Sequence, residues 1–137
     1  MADFVDLSNF NTDELPTGEI YSDGTEIKAR ITRISKGEDK NQTPYLMPWF
    51  EDPDNVNLED FSDYLPLPVP ADTEKEKGRK LLKLKTFAQC FDLDLFGGEF
   101  NLEDAKGALG WMILGIGKSK EGTPNNRPKK YLMSSGG

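Results

Sequence analysis

The sequence predicts a mainly β protein of five strands, with one helix between the third strand and the fourth. Three patterns support this prediction. Residues 25–36 alternate apolar and polar side chains, which is typical of a half-buried strand. Residues 81–91 place apolar side chains at helical spacing. Residues 109–117 form a short apolar run before a turn-rich segment, which predicts a strand covered on both faces and then a hairpin loop.

The first strand is expected to bend. Its inward side chains alternate regularly as far as Ile31, but the next apolar residue, Ile34, is out of phase with them. Such a slip predicts a bulge near Thr32–Arg33. A polar loop at residues 37–43 then leads to the second strand, residues 44–50.

Prolines shape the middle of the chain. Pro48 in the second strand indicates an edge or a bulge position, because proline cannot donate to a ladder. Residues 51–63 are predicted to be an acidic loop. Residues 63–70 are predicted to be an edge strand, kept extended by their prolines.

The helix has signals at both ends. Asp72 or Thr73 can cap its start, and it ends near Phe91–Asp94, before paired glycines. Its predicted apolar face consists of Leu81, Leu84, Ala88 and Phe91, with Leu82 and Phe87 beside it. Residues 99–108 are expected to be a loop or a short helical turn, and residues 118–128 a basic loop between the last two strands.

Charge is distributed in blocks, although the net charge is −7. Residues 1–26 contain no base and residues 51–63 are purely acidic. We predict an acidic N-terminal arm at residues 1–17, a folded domain at residues 18–133 and a flexible tail at residues 134–137. The first residues lack a secretion-signal pattern, so we expect a soluble cytoplasmic protein with no membrane partner.

The residue inventory excludes several kinds of site. The chain has no histidine and only Cys90, which excludes internal disulfides, Cys/His zinc sites and triads with an imidazole base. Cys90 is predicted to be buried and inert. We therefore expect neither an enzyme nor a cofactor or metal. One alternative is calcium binding, because four residues fit EF-hand loop positions: Asp92, Asp94, Gly97 and Glu103. Phe96 and the lack of an exiting helix oppose it.

The order of elements, with a long bent first strand, is that of an OB-fold barrel. In that fold the second and third strands bind oligonucleotides, together with the loops joining strands one to two and four to five. The aromatic and basic residues of this sequence occur in the same elements.

The chain also resembles small phage-encoded OB-fold proteins that bind single-stranded DNA. Three segments carry the resemblance: KGEDKNQTPYL at 36–46, LLKLKTFAQCFDL at 81–93, and GALGWMILGIGKSKEGTPNNRPKKYL at 107–132. It covers roughly residues 17–133. Many such proteins end in an acidic tail tipped by an aromatic, whereas this sequence ends Ser-Ser-Gly-Gly.

Candidate DNA-binding residues follow from these patterns. Phosphate contacts are expected from Lys28, Arg30, Arg33, Lys36, Lys40, Lys118, Lys120, Arg127, Lys129 and Lys130. Side-chain amides are available at Asn125 and Asn126, and rings for base stacking at Tyr45, Trp49 and Tyr131. We favour Tyr45 and Trp49 outward, with Leu46 and Phe50 in the core. Two alternatives stay open: all three second-strand aromatics are core residues, or the basic loop is merely solvated.

Two functions are consistent with the sequence. The first is single-stranded DNA binding without sequence preference in phage replication or recombination, in the host cytoplasm, with a replication or recombination protein as a second partner. The second is an acidic protein-interaction module or DNA mimic on the same fold. The arm interleaves acids with Phe4, Val5, Leu7 and Phe10. We expect it either to fold back on the basic aromatic groove or to pack along the domain as a plain extension.

Overall fold

A computed structural model describes residues 3–9, 19–119 and 121–133 of the chain. The fold is mainly β with one α-helix, as the sequence predicts. Its elements are β1 (Glu26–Glu38), β2 (Pro44–Glu51), β3 (Phe61–Ser62), β4 (Leu65–Pro66), α1 (Glu74–Phe91), a short 3-10 helix (Leu102–Ala105), β5 (Leu109–Lys118) and β6 (Pro124–Tyr131). The 3-10 helix confirms the predicted loop or helical turn before β5.

The strands form one antiparallel sheet in the order β3-β2-β1-β5-β6, with β4 pairing to β2 beside β3. β1 is shared, because its first half pairs with β5 and its second half with β2. Within the described residues β3 and β6 form no ladder, so backbone hydrogen bonds do not close the sheet. A side chain bridges the two edges instead: the Tyr131 hydroxyl donates to Asp63 Oδ2 at 2.6 Å.

The predicted bulge in β1 is confirmed. The register with β2 shifts between Ile31 and Arg33. The Thr32 hydroxyl donates to the Trp49 carbonyl at 3.3 Å across this irregularity. Because the bulge inserts one residue, Ile31 enters the core while Arg33, two positions later, lies on the outward face.

Aromatic rings from the sheet and the helix fill the core. Phe50, Phe87, Phe91 and Tyr131 are each at most 8% exposed. Their ring centroids lie 5.3 to 6.4 Å apart. Aromatic pairs at such distances contribute about 0.5–1.5 kcal/mol beyond burial of their area. One cluster therefore joins β2 and β6 to α1.

The helix begins and ends as its caps predict. The Thr73 hydroxyl accepts from the Glu76 N–H at 3.1 Å, and Glu76 Oε1 accepts from the Thr73 N–H at 3.2 Å, which forms a capping box. The chain leaves α1 at Asp92, in the left-handed conformation. Leu82, expected beside the apolar face, is 65% exposed. That expectation is wrong, because Leu82 is about 200° around the helix from the buried Leu84.

The predicted third strand is corrected in two ways. It is not continuous over residues 63–70, since β3 starts within the predicted acidic loop and β4 ends at Pro66. The two pieces are separated opposite Pro48. There the Asp63 N–H donates to the Pro48 carbonyl at 3.2 Å. The backbone of Pro48, which has no N–H to donate, therefore faces the gap between β3 and β4.

The last hairpin also differs from expectation. Residues 124–128, expected in the loop, belong to β6 and pair with the end of β5. β5 is covered on one face only: Met112 and Leu114 are buried, whereas Trp111 is 50% exposed. The apolar run thus reflects one core face and one apolar outward face.

Backbone and side-chain hydrogen bonds attach the segment before β1 to the loop after β2 and to the last hairpin. Glu19 forms an isolated bridge with Leu58. The Tyr21 N–H donates to Asn126 Oδ1 at 2.7 Å. Residues 1–2 and 10–17 of the arm lie outside the described residues, as does the tail at 134–137.

Candidate nucleic-acid interface

The outward face of β1 and β2 brings three predicted site residues together. Side chains alternate across β2, so Leu46 and Phe50 enter the core while Tyr45 and Trp49 lie on the opposite face. Both outward rings are half-buried. Arg33 stands opposite Trp49 in the ladder. The expected division of these aromatics between core and surface is confirmed.

The guanidinium of Arg33 covers the Trp49 ring. Its central carbon lies 5.0 Å from the ring centroid. A cation–π contact at an exposed site contributes about 0.5–1 kcal/mol, whereas a base stacked on an aromatic ring contributes about 1–3 kcal/mol. A nucleobase can therefore displace the guanidinium with a net gain, and Arg33 would then be free to contact a phosphate.

Tyr45 is held in place by its neighbours. Its ring pairs with that of Tyr64 at a centroid distance of 5.1 Å. It also lies against Gly37, where a Cβ would stand 2.9 Å from the Tyr45 hydroxyl oxygen. The Tyr64 hydroxyl donates to Asp39 Oδ2 at 2.8 Å, which fixes the β1–β2 loop and its Lys40 beside the two rings. Burial, with the Asp39 carboxylate, raises the pKa of Tyr64.

A cleft of about 380 Å³ lies between the two free edges of the sheet. β2 and β3 supply one wall, and β6 supplies the other with Asn125 and Arg127. Its charged lining consists of Lys83 and Arg127 against three acids: Glu59, Asp60 and Asp63. Burial, with the nearby Glu51, raises the pKa of Asp60. The cleft is lined by both acidic and basic side chains, so the prediction of a basic groove is wrong for this cleft.

Arg127 lies flat on the outward face of the last hairpin. Its Nη2 donates to the Lys118 carbonyl at 3.0 Å. A Cβ at Gly117 would collide with its Nε, so the glycine leaves the space that the guanidinium occupies. These contacts hold the side chain over the end of β5, and Arg127 also lines the cleft.

The other basic residues of this hairpin that were predicted to contact DNA are less available for binding or lie farther from the cleft. Lys129 pairs with Asp23 at 3.2 Å. Lys118 and Lys130 are exposed, and Lys130 stands opposite Ile113, away from the cleft lining. Lys120 lies outside the described residues.

Two predicted site residues belong to the core. Asn126 is 3% exposed, and its Oδ1 accepts from the Tyr21 N–H at 2.7 Å. Its Nδ2 donates to the carbonyls of Tyr21 at 2.9 Å and Gly115 at 3.3 Å. Tyr131 is 8% exposed, and burial, with the charge of Asp63, raises its pKa well above the ordinary value. Both expectations are corrected, because neither side chain can reach DNA in the folded protein.

Three further bases lie on other parts of β1. Lys36 stands opposite the core residue Leu46, on the face away from Trp49. Arg30 is outward but pairs with Glu51 at 2.6 Å. Lys28 stands opposite Trp111 on the β5 side of the sheet. Lys28 and Arg30 therefore share the outward face with Arg33, although Arg30 is already paired with Glu51, whereas Lys36 lies on the opposite face.

The sequence interpretation missed three residues. Tyr64 extends the aromatic pair, although it was assigned to a proline-rich edge strand. Lys83 of α1 reaches the cleft and donates to the Tyr64 carbonyl at 2.8 Å, although it was not among the predicted site residues. Trp111 is outward and half-exposed, although β5 was expected to be covered on both faces. Trp111 is paired across the sheet with Lys28, and this pairing with an outward residue is the signal that marks Trp111 as outward.

The calcium alternative gains no support. Among the described residues, no group of three or more His, Cys, Asp or Glu side chains is placed to hold a metal ion. Glu103 of the suggested loop pairs with Lys106 at 2.8 Å.

Over the same described parts of the chain, no helix has the length and apolar character needed to cross a membrane. The chain matches no protein-family model, and no curated protein matches its sequence.

Proposed function

We propose that the protein is an OB-type barrel, open between β3 and β6, that binds single-stranded DNA without sequence preference. Three features support the fold: the strand order, a bulged β1 shared by β2 and β5, and a helix between β4 and β5. In this interpretation β3 and β4 together take the place of the third barrel strand.

The observation that carries the function is the row of aromatic side chains on the outward face of β2. Tyr45 and Trp49 are four residues apart on one strand, which corresponds to about 13 Å at strand spacing. Two bases of one strand that are not adjacent in sequence can each stack on one of these rings, and stacking is tolerant of sequence. Arg33 covers the Trp49 ring, and Lys40 follows Asp39, which accepts a hydrogen bond from the Tyr64 ring beside Tyr45; both basic side chains can contact phosphates.

The acids of the cleft constrain the path of the strand. Glu59, Asp60 and Asp63 would repel phosphates. We therefore place the DNA backbone along the Arg33 and Lys40 side of β2, with Arg127 as the contact across the cleft. This path brings few basic side chains to the DNA, so binding is expected to depend more on base stacking than on charge.

Fluorescence titration with oligo(dT) tests the proposal, because the two tryptophans can be separated. In a Trp111→Phe variant the remaining signal comes from Trp49, and we expect it to be quenched by the oligonucleotide. The matched Trp49→Phe variant reports on Trp111 and should respond less. An unquenched Trp49 at protein and DNA concentrations of 100 μM would overturn the proposal.

A second function has its own observation. Burial, with the nearby Glu51 and Glu59, raises the pKa of Asp60, and these three acids form an acidic surface. Such a surface would bind a basic protein, either as an interaction module or as a DNA mimic. In that case oligo(dT) would leave both tryptophans unchanged. A basic peptide such as oligolysine would bind, and Asp60→Asn would weaken that binding.

A further inference from the structure

An apolar groove lies between α1 and the loop that follows it, on a different surface from the aromatic row. It has a volume of about 380 Å³ and includes Leu81, Leu84, Leu95 and Phe100 in its lining. It continues across the outer surface of α1 past Leu82. Together the two parts form what we call the helix groove.

The helix groove leaves large apolar side chains in water. Leu82 is 65% exposed and Phe96 is 57% exposed, and both line its outer part. Neighbouring apolar side chains exposed in this way typically mark a binding surface.

The charge of the helix groove is of one sign. Among the described residues that line it, the charged ones are Lys36 from β1 and Lys85 from α1. The acids of the loop after α1 do not line it. An apolar floor with a basic margin selects a peptide that combines apolar and acidic side chains.

The N-terminal segment of this chain has that chemistry. In residues 3–9 the side chains of Phe4, Val5 and Leu7 are 92%, 80% and 64% exposed, and the charged residues are the acids Asp3 and Asp6. Asn9 and Glu19 are joined by a stretch that can span at most about 35 Å. A domain of this length has a radius of gyration of about 14 Å, so the segment can reach most of the surface.

We propose that residues 3–9 dock in the helix groove of the same molecule, with Phe4 and Leu7 on its apolar floor and Asp3 and Asp6 toward Lys36 and Lys85. The segment would thus exchange between the exposed state described above and a docked state. This site is separate from the aromatic row, so it does not depend on the proposed DNA binding.

Paramagnetic broadening in the full-length protein tests the proposal. Cys90 is buried, so a nitroxide can be attached selectively to a Ser8→Cys variant. We expect peak intensity to be lost at the amides of Leu81, Leu82 and Phe96. The loss should largely disappear when Phe4→Ser and Leu7→Ser are added, and should be reduced by Lys36→Glu with Lys85→Glu. Lys28→Glu, on the outward face of β1, is the matched control and should leave the loss unchanged.

Two outcomes would overturn the proposal. In the first, the groove amides keep their intensity, or the loss is equal over the whole surface. In the second, spin-labelled protein at natural isotope abundance is mixed with ¹⁵N-labelled protein that has no spin label, and the loss still appears. The contact would then be intermolecular. No nucleic acid is present in this experiment, so its result is independent of the DNA-binding test.

Discussion

Replacing Asn126 by Ala should destabilise the protein strongly, although the sequence pattern places this residue in a basic loop. Asn126 makes three hydrogen bonds, at 2.7, 2.9 and 3.3 Å, to the backbone of Tyr21 and Gly115. Each buried bond contributes about 0.5–1.5 kcal/mol, and polar groups left without a partner add a desolvation cost. With the longest bond given little weight, we expect a loss of about 2–4 kcal/mol.

Urea and thermal unfolding measure this loss directly. For a chain of this length about 1 kcal/mol corresponds to a shift of roughly 3–4 °C, so the melting temperature should fall by about 6–16 °C. Asn125→Ala, next in sequence but on the cleft wall, is the matched control and should change stability little. Asn126→Asp keeps the acceptor for the Tyr21 N–H but loses both donors, so it should also destabilise. A wild-type unfolding midpoint for Asn126→Ala would refute this structural role.

Three further predictions concern charge and reactivity. The hydrogen bond from Lys80 to Asp72 lowers the pKa of Asp72 below its ordinary value of 3.8, so Asp72→Asn should lower the urea midpoint at pH 7. That difference should shrink as the pH falls below 3.8, because the native carboxylate is then lost through protonation. Burial raises the pKa of the Cys90 thiol to about 11, so it should react with a disulfide reagent at pH 8 only after unfolding. If Arg127 holds one phosphate, Arg127→Ala should flatten the log–log salt slope of oligo(dT) binding by about 0.7, whereas Lys129→Ala, already paired with Asp23, should change it less.

Local signals account for the parts of the fold that the sequence predicted well. The bulge in β1 follows from the phase slip before Ile34, and α1 follows from the Thr73 cap and from helical spacing. These features depend on residues close together in the chain. The outward position of Tyr45 and Trp49 follows in the same way from alternation along β2.

Features set by distant contacts were not predictable. β3 and β4 have two residues each, and only their pairing with β2 defines them as strands. Asn126 looked like a polar loop residue, but it is fixed by the backbone of Tyr21, which is 105 positions away in the chain. The mixed charge of the cleft arises because the acidic segment after β2 folds beside β6. A list of the basic residues along the chain could not show that this acidic segment would lie beside β6.

The central claim is that the aromatic row on β2 binds single-stranded DNA, and chemical-shift mapping with ¹⁵N-labelled protein tests it most directly. During an oligo(dT) titration we expect shifts at the Trp49 indole N–H, at the β2 amides and at the loop that carries Lys40. The helix groove around Leu81 and Phe96 should not respond directly to the DNA. Shifts confined to the helix groove or to Trp111, or no shifts at saturating DNA, would contradict the claim.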